Sequence, residues 1–102
     1  MYTLREGEKR DICVAVERLR GSGTITLTSP QRRVLDSNRL LIASYDWGSA
    51  TWDSSAGELY WTFDSTVAAL SIVGTYYVQF RGTIGTELYE REVTVQVQEF
   101  GP

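Results

Sequence analysis

Between Gly74 and Gln98 apolar and polar positions alternate along two arms. Tyr76, Val78 and Phe80 fall on one face and Tyr77, Gln79 and Arg81 on the other; later, Val93, Val95 and Val97 alternate with Thr94, Gln96 and Gln98. Successive side chains of an extended chain point to opposite faces, so this pattern predicts half-buried strands. Gly85-Thr86, after Ile84, supplies the glycine that a tight turn needs. The stretch therefore predicts a long β-hairpin. A hairpin alone leaves its apolar face in water, so the preceding residues must supply an opposing layer.

The same alternation recurs upstream. Tyr2 to Arg5 predicts a short opening strand, closed by Glu6-Gly7-Glu8. Ile12, Val14 and Val16 oppose Cys13, Ala15 and Glu17 in a core strand. Gly21-Ser22-Gly23 predicts a turn before a strand from Thr24 to Thr28, which Ser29-Pro30-Gln31-Arg32-Arg33 is expected to break because proline cannot donate to a ladder. A connection is expected to about Asn38. Leu40 to Tyr45 is strand-like with two competing inward phases, and Asp46 to Ser55 reads as a loop or frayed edge. From Glu58 to Asp64, Leu59, Trp61 and Phe63 share one face and are predicted to fill the centre of the core. Ser65 to Ile72 is the one candidate for a helical turn, with Val67 and Leu70 packing down as the chain crosses between sheets. About seven short strands separated by turns, without a long amphipathic helix, predict an all-β antiparallel sandwich as a single domain over residues 1–102.

Composition narrows the chemistry. With 42% hydrophobic and 23% charged residues the chain belongs with globular rather than disordered sequences. Cys13 has no second cysteine to pair with and no histidine to activate it, so it reads as a small core hydrophobe. The same lack removes the usual zinc, copper and haem ligand sets. Apolar runs approaching the roughly 18 residues of a membrane span are absent. Arg5, Glu6, Glu8, Lys9 and Arg10 close behind Met1 argue against a signal peptide. Net charge is −3, which argues against general nucleic-acid binding. It is unevenly spread. Residues 1–40 carry eight basic groups against five acids, and residues 41–102 two against eight. If the two parts occupy different faces, one copy could meet the next head to tail.

The most suggestive local group is Tyr45, Asp46, Trp47, Trp52 and Asp53, because aromatic rings beside carboxylates suit either a sugar face or a protein interface. Arg32-Arg33, with Arg39, could meet a phosphate or an acidic partner, though a solvated loop accounts for them as well. Asp53-Ser54-Ser55-Ala56-Gly57-Glu58 lacks the further acidic ligands of a calcium loop and reads as a polar turn. Glu87, Glu90 and Glu92 facing Arg81 and Arg91 predict cross-strand ion pairs rather than a hydrolytic acid pair. No residue set reads as catalytic, cofactor-binding or metal-binding, and the expectation is a non-enzyme without cofactor. The candidate interaction surface is Tyr45, Trp47, Trp52, Asp53, Arg32 and Arg33.

Gly74-Thr75-Tyr76-Tyr77-Val78 resembles the approach to strand F of immunoglobulin-like domains, with Tyr76 at the corner tyrosine and Val78 at the core site that antibodies fill with cysteine. More narrowly, the opening Tyr2 to Glu8, the strand Asp11 to Val16, the Gly-Thr-Tyr-Tyr stretch and a last strand after a glycine turn resemble small immunoglobulin-like domains of tailed-phage virion proteins, such as the N-terminal domain of upper baseplate proteins. That resemblance implies a structural or adaptor protein of a phage or prophage particle, in a baseplate, tail or neck. Its expected place is the virion, or the host cytoplasm during assembly, and its partners are proteins or further copies of itself, with neither nucleic acid nor membrane. The alternative is a carbohydrate-binding or adhesion module in which the loop aromatics hold a glycan.

Overall fold

Where the alternation is unbroken the chain is extended. The computed structural model describes residues 1–16 and 26–99. Its strands are β1 (Tyr2–Arg5), β2 (Lys9–Ala15), β3 (Leu27–Leu35), β4 (Gly48–Ser49), β5 (Thr51–Asp53), β6 (Glu58–Asp64), β7 (Gly74–Ile84) and β8 (Glu87–Gln98), with short 3₁₀ turns at Ala43–Tyr45 and Ala68–Leu70. They form a five-stranded sheet in the order β1-β8-β7-β3-β4 and a three-stranded sheet in the order β2-β6-β5. Pairing is antiparallel except between β1 and β8, which run parallel.

Val34, Val78, Phe80, Val95 and Val97 from the larger sheet meet Ile12, Leu59 and Phe63 from the smaller one, and all are fully buried. Burying each such side chain contributes about 1.5–3 kcal/mol, so a one-residue slip in β7 or β8 would forfeit several of these at once. Leu70, from the crossing turn between β6 and β7, is also fully buried, while Val67 stays exposed.

The strand order is that of an immunoglobulin-like sandwich, with β2, β6 and β5 as B-E-D and β8, β7, β3 and β4 as G-F-C-C′. The corner tyrosine is present as well. Tyr76 Oη donates to the Ile72 carbonyl at 2.7 Å, tying β7 to the turn before it. Edges are closed by local devices. Ala50 separates β4 in one sheet from β5 in the other, so one flank of the sandwich is stitched by continuous chain. On the opposite flank Tyr2 Oη donates to the Cys13 carbonyl (3.2 Å) and accepts from its N–H (3.1 Å), and Tyr89 Oη donates to the Ala15 carbonyl (3.2 Å). Two phenols thus occupy the open edge of β2, which would otherwise offer a pairing template.

Three expectations are corrected. Pro30 does not end its strand: β3 runs through it, because the register shifts between Thr28 and Gln31 and places the proline in a bulge, where a missing N–H costs no ladder bond. Ser29 takes a left-handed φ of 54° there, and the Pro30 carbonyl accepts from Ala50 N–H at 3.1 Å. Leu40 to Tyr45 is not a strand. Leu41 makes one bridge to Leu35, the chain then turns through Ala43–Tyr45, and Leu40 is left 63% exposed. Trp61 is half-buried at the rim rather than central like Leu59 and Phe63. The predicted turn at Gly21-Ser22-Gly23 and the start of the strand at Thr24 lie outside the described residues.

Candidate docking surface on the outer sheet face

Arg32 and Arg33 are consecutive in β3, so their side chains leave opposite faces of the five-stranded sheet. Arg32 shares the inward phase of Val34, opposite Phe80 and Gly48. Its guanidinium lies between the sheets, 4.7 Å from the Trp61 ring centre and 5.3 Å from that of Tyr45. Nη1 donates to the Asp46 carbonyl at 2.8 Å, whereas Nε is buried without a partner, and burial pulls the group below its ordinary pKa. The gap it fills exists because residue 48 is glycine. A Cβ there would stand 2.9 Å from Arg32 Nη1. Tyr45 packs edge-on against Trp61 (5.8 Å), and Trp61 against Phe63 (5.9 Å), so this cation caps an aromatic row leading into the core.

Arg33 points outward. Its Nε donates to Gln79 Oε1 at 2.6 Å and its guanidinium lies 4.7 Å from the Trp47 ring centre. Arg81, a diagonal neighbour on β7, donates to Gln31 Oε1 at 2.7 Å and lies 3.8 Å from the same ring. Both cations rise from the outer sheet face, so the indole lies across them. Next along the sheet, Glu92 accepts from Gln79 Nε2 (3.0 Å) and from both Arg39 nitrogens (2.9 and 3.0 Å), and Arg39 also lies over Tyr77 at 4.1 Å. The Arg39 and Gln79 bonds hold the Glu92 carboxyl below its ordinary range. Beside the indole is a groove of about 290 Å³ lined by Arg33, Trp47, Gln79, Phe80, Glu90, Arg91 and Glu92.

The six residues expected to form one surface are therefore distributed. Trp47 and Arg33 meet on the outer face. Tyr45 and Trp52 pack against the core, and Arg32 fills the gap between sheets. Asp53 accepts from the Ser55 hydroxyl (2.7 Å) and from the N–H groups of Ser55 and Ala56 (3.1 and 3.2 Å), bonds that lower its pKa and make it the carboxylate of a turn. Arg81, Gln79 and Gln31 were not singled out as site residues, although Gln79 and Arg81 stand in the outward phase of β7.

The expected ion pairs within the hairpin are also corrected. Arg81 is in register with Glu90 but turns to Gln31 and Trp47, Arg91 is in register with Phe80, and Glu92 finds its cation in Arg39 from outside the hairpin. Early basic and late acidic residues meet at two contacts, Arg39 with Glu92 and Lys9 with Asp64 at 3.8 Å. Among the described residues no group of three or more acidic, cysteine or histidine side chains could hold a metal ion, and no helix is long and apolar enough to cross a membrane.

No family model matches the chain, and no curated protein matches it. Among solved structures, a chimeric titin Z1Z2 functionalized with a KLER exogenous peptide from decorin is similar at a TM-score of 0.49 and 10% identity, over 96% of this chain and 85% of that one. The immunoglobulin-like assignment stands on the strand order and the Tyr76 corner.

Proposed function

We propose that this chain is a non-enzymatic docking module that binds a protein partner through the outer face of its five-stranded sheet, centred on Trp47. One observation carries the reading: Trp47 is the tryptophan not packed against the core, and it is instead held by Arg33 and Arg81 beside an open groove. Tryptophan and arginine are the residues that most often dominate binding energy at protein interfaces, because they offer large area with few rotors to freeze. Gln31, Gln79 and Arg39 fix the neighbouring groups in advance, which lowers the ordering cost of association. The resemblance to tailed-phage virion domains supplies the setting, an adaptor or structural role in particle assembly. A glycan site is the weaker reading, since Glu92 and Gln79 already spend hydrogen-bonding capacity on Arg39, Arg33 and each other.

The test is pairwise binding of the purified chain to products of the genes adjoining its own, with a glycan array in parallel. A neighbouring particle protein is expected to bind, and Trp47→Ala to weaken it by about tenfold or more. Binding to glycans alone, lost in Trp47→Ala, would replace the docking role with the sugar-binding one.

A further inference from the structure

The hairpin's two arms are unequally covered. β7 is paired along both edges, by β8 and by β3, whereas β1 covers β8 only from Val95 to Gln98. Among the described residues, no strand pairs with the outer edge of β8 from Glu87 to Thr94. β2 is plugged by the Tyr2 and Tyr89 phenols, and β3 is covered by β4, by Ala50 N–H on Pro30 and by Ile42 N–H on Val34. The other outer edges, at β1, β4 and β5, belong to strands of two to four residues, whereas the stretch of β8 without a strand partner among the described residues runs from Glu87 to Thr94, long enough to template pairing with another chain.

We propose that this edge takes an added strand, an extended basic segment of the partner protein lying alongside Glu87–Thr94. The charges select that occupant. The carboxylates of Glu87 and Glu90 have no hydrogen-bond or ion-pair partner among the described residues, while Arg91 lies over Tyr89 at 5.7 Å. A lysine or arginine of an incoming strand falls opposite Glu90, and the backbone ladder supplies the remaining affinity. A second copy of this chain fits poorly. An antiparallel pairing that continues the sheet, centred on Glu90, Arg91 or Glu92, sets that charge against its own copy, and one centred on Tyr89 sets Glu90 against Leu88. The edge spans about 27 Å, beside the Trp47 groove that Glu90, Arg91 and Glu92 help to line. The inference deepens the docking reading by naming the chemistry of the segment bound.

The test is amide hydrogen exchange of the full chain with a synthetic peptide alternating lysine and valine, long enough to span Glu87–Thr94. Exchange is expected to slow by about tenfold or more at amides within Glu87–Thr94 that do not bond to β7. A glutamate–valine peptide is expected to give no protection, and Glu90→Lys to weaken the effect of the lysine peptide. Three results would overturn the proposal: no protection; equal protection by a lysine peptide whose alternate amides are N-methylated, which is adhesion by charge alone; or protection that rises with chain concentration without peptide, which is self-pairing. Trp47→Ala is expected to leave the peptide effect intact. No peptide protection in the parent chain, with partner binding lost in Trp47→Ala, sinks the added strand alone; peptide protection with partner binding unchanged in Trp47→Ala sinks the Trp47-centred docking alone.

Discussion

Two consecutive arginines build two aromatic stacks of opposite character. Arg32 turns inward and is held between Tyr45 and Trp61 with an unpartnered Nε, in space kept clear by Gly48. Arg33 turns outward and, with Arg81, supports Trp47 beside an open groove, its Nε bonded along the sheet to Gln79. The contact chemistry is the same. What differs is what lies beyond the ring: Phe63 and Tyr76 behind Trp61, and an open groove beside Trp47. An arginine–tryptophan contact is thus a joint in one place and a prepared surface in the other, and since both indoles are half-buried, contact with the core decides which.

The largest effect should come from the inner stack. Trp61→Ala removes a ring that touches both Tyr45 and Phe63 and is expected to cost roughly 3 kcal/mol in chemical denaturation, the lower end for a truncated aromatic because Trp61 is half-buried. A loss below about 1 kcal/mol would break the contrast between the stacks. Gly48→Ala should follow at about 1–2 kcal/mol, since its Cβ would press on the Arg32 guanidinium from 2.9 Å. Adding Arg32→Met should relieve much of that loss, because the two changes act through one gap.

Much of this arrangement was legible beforehand, and the part that was not has a common cause. The β7–β8 hairpin, β2, β6, the crossing turn with Leu70 and the Tyr76 corner follow from local alternation and short motifs, which the fold respects. Pro30 misled because a bulge is a property of two strands, and one strand's residues do not reveal that Thr28 and Gln31 find Thr83 and Arg81 in shifted register. Leu40 and Leu41 misled because apolar residues at a sheet's end can remain exposed. At the site, proximity in sequence suggested that Trp47 and Trp52 act together. The partners of Trp47 are Arg33 and Arg81, brought beside it by the β3–β7 register. Arg81 stood in the outward phase of β7, a signal that alternation carried but that needed the pairing to be interpreted.

Smaller effects sharpen the comparison. Arg32→Met alone keeps most of the stacked volume and removes a buried cation with an unpartnered nitrogen, so stability should stay within about 1 kcal/mol of the parent. A loss above about 2 kcal/mol would show that the inner cation is required as a charge. Along the outer network, Glu92 has its pKa lowered first by Arg39 and then by Gln79. A carboxyl whose folded value lies below its unfolded one, about 4.3, stabilises fully above that pH and loses the contribution as pH falls through the folded value. Glu92→Gln should therefore flatten the decline of stability below about pH 4.3, with little change at neutral pH because the pair is partly exposed. An unaltered acid limb in that variant would show that the Arg39–Glu92 contact contributes nothing in solution.

The contrast between a structural joint and a prepared surface is tested most directly by the unfolding free energy of Trp47→Ala. The outer stack predicts a loss of no more than about 1 kcal/mol, the worth of cation–π contacts made outside the core. A loss near the roughly 3 kcal/mol expected for Trp61→Ala would contradict the account and make Trp47 part of what holds the sandwich together.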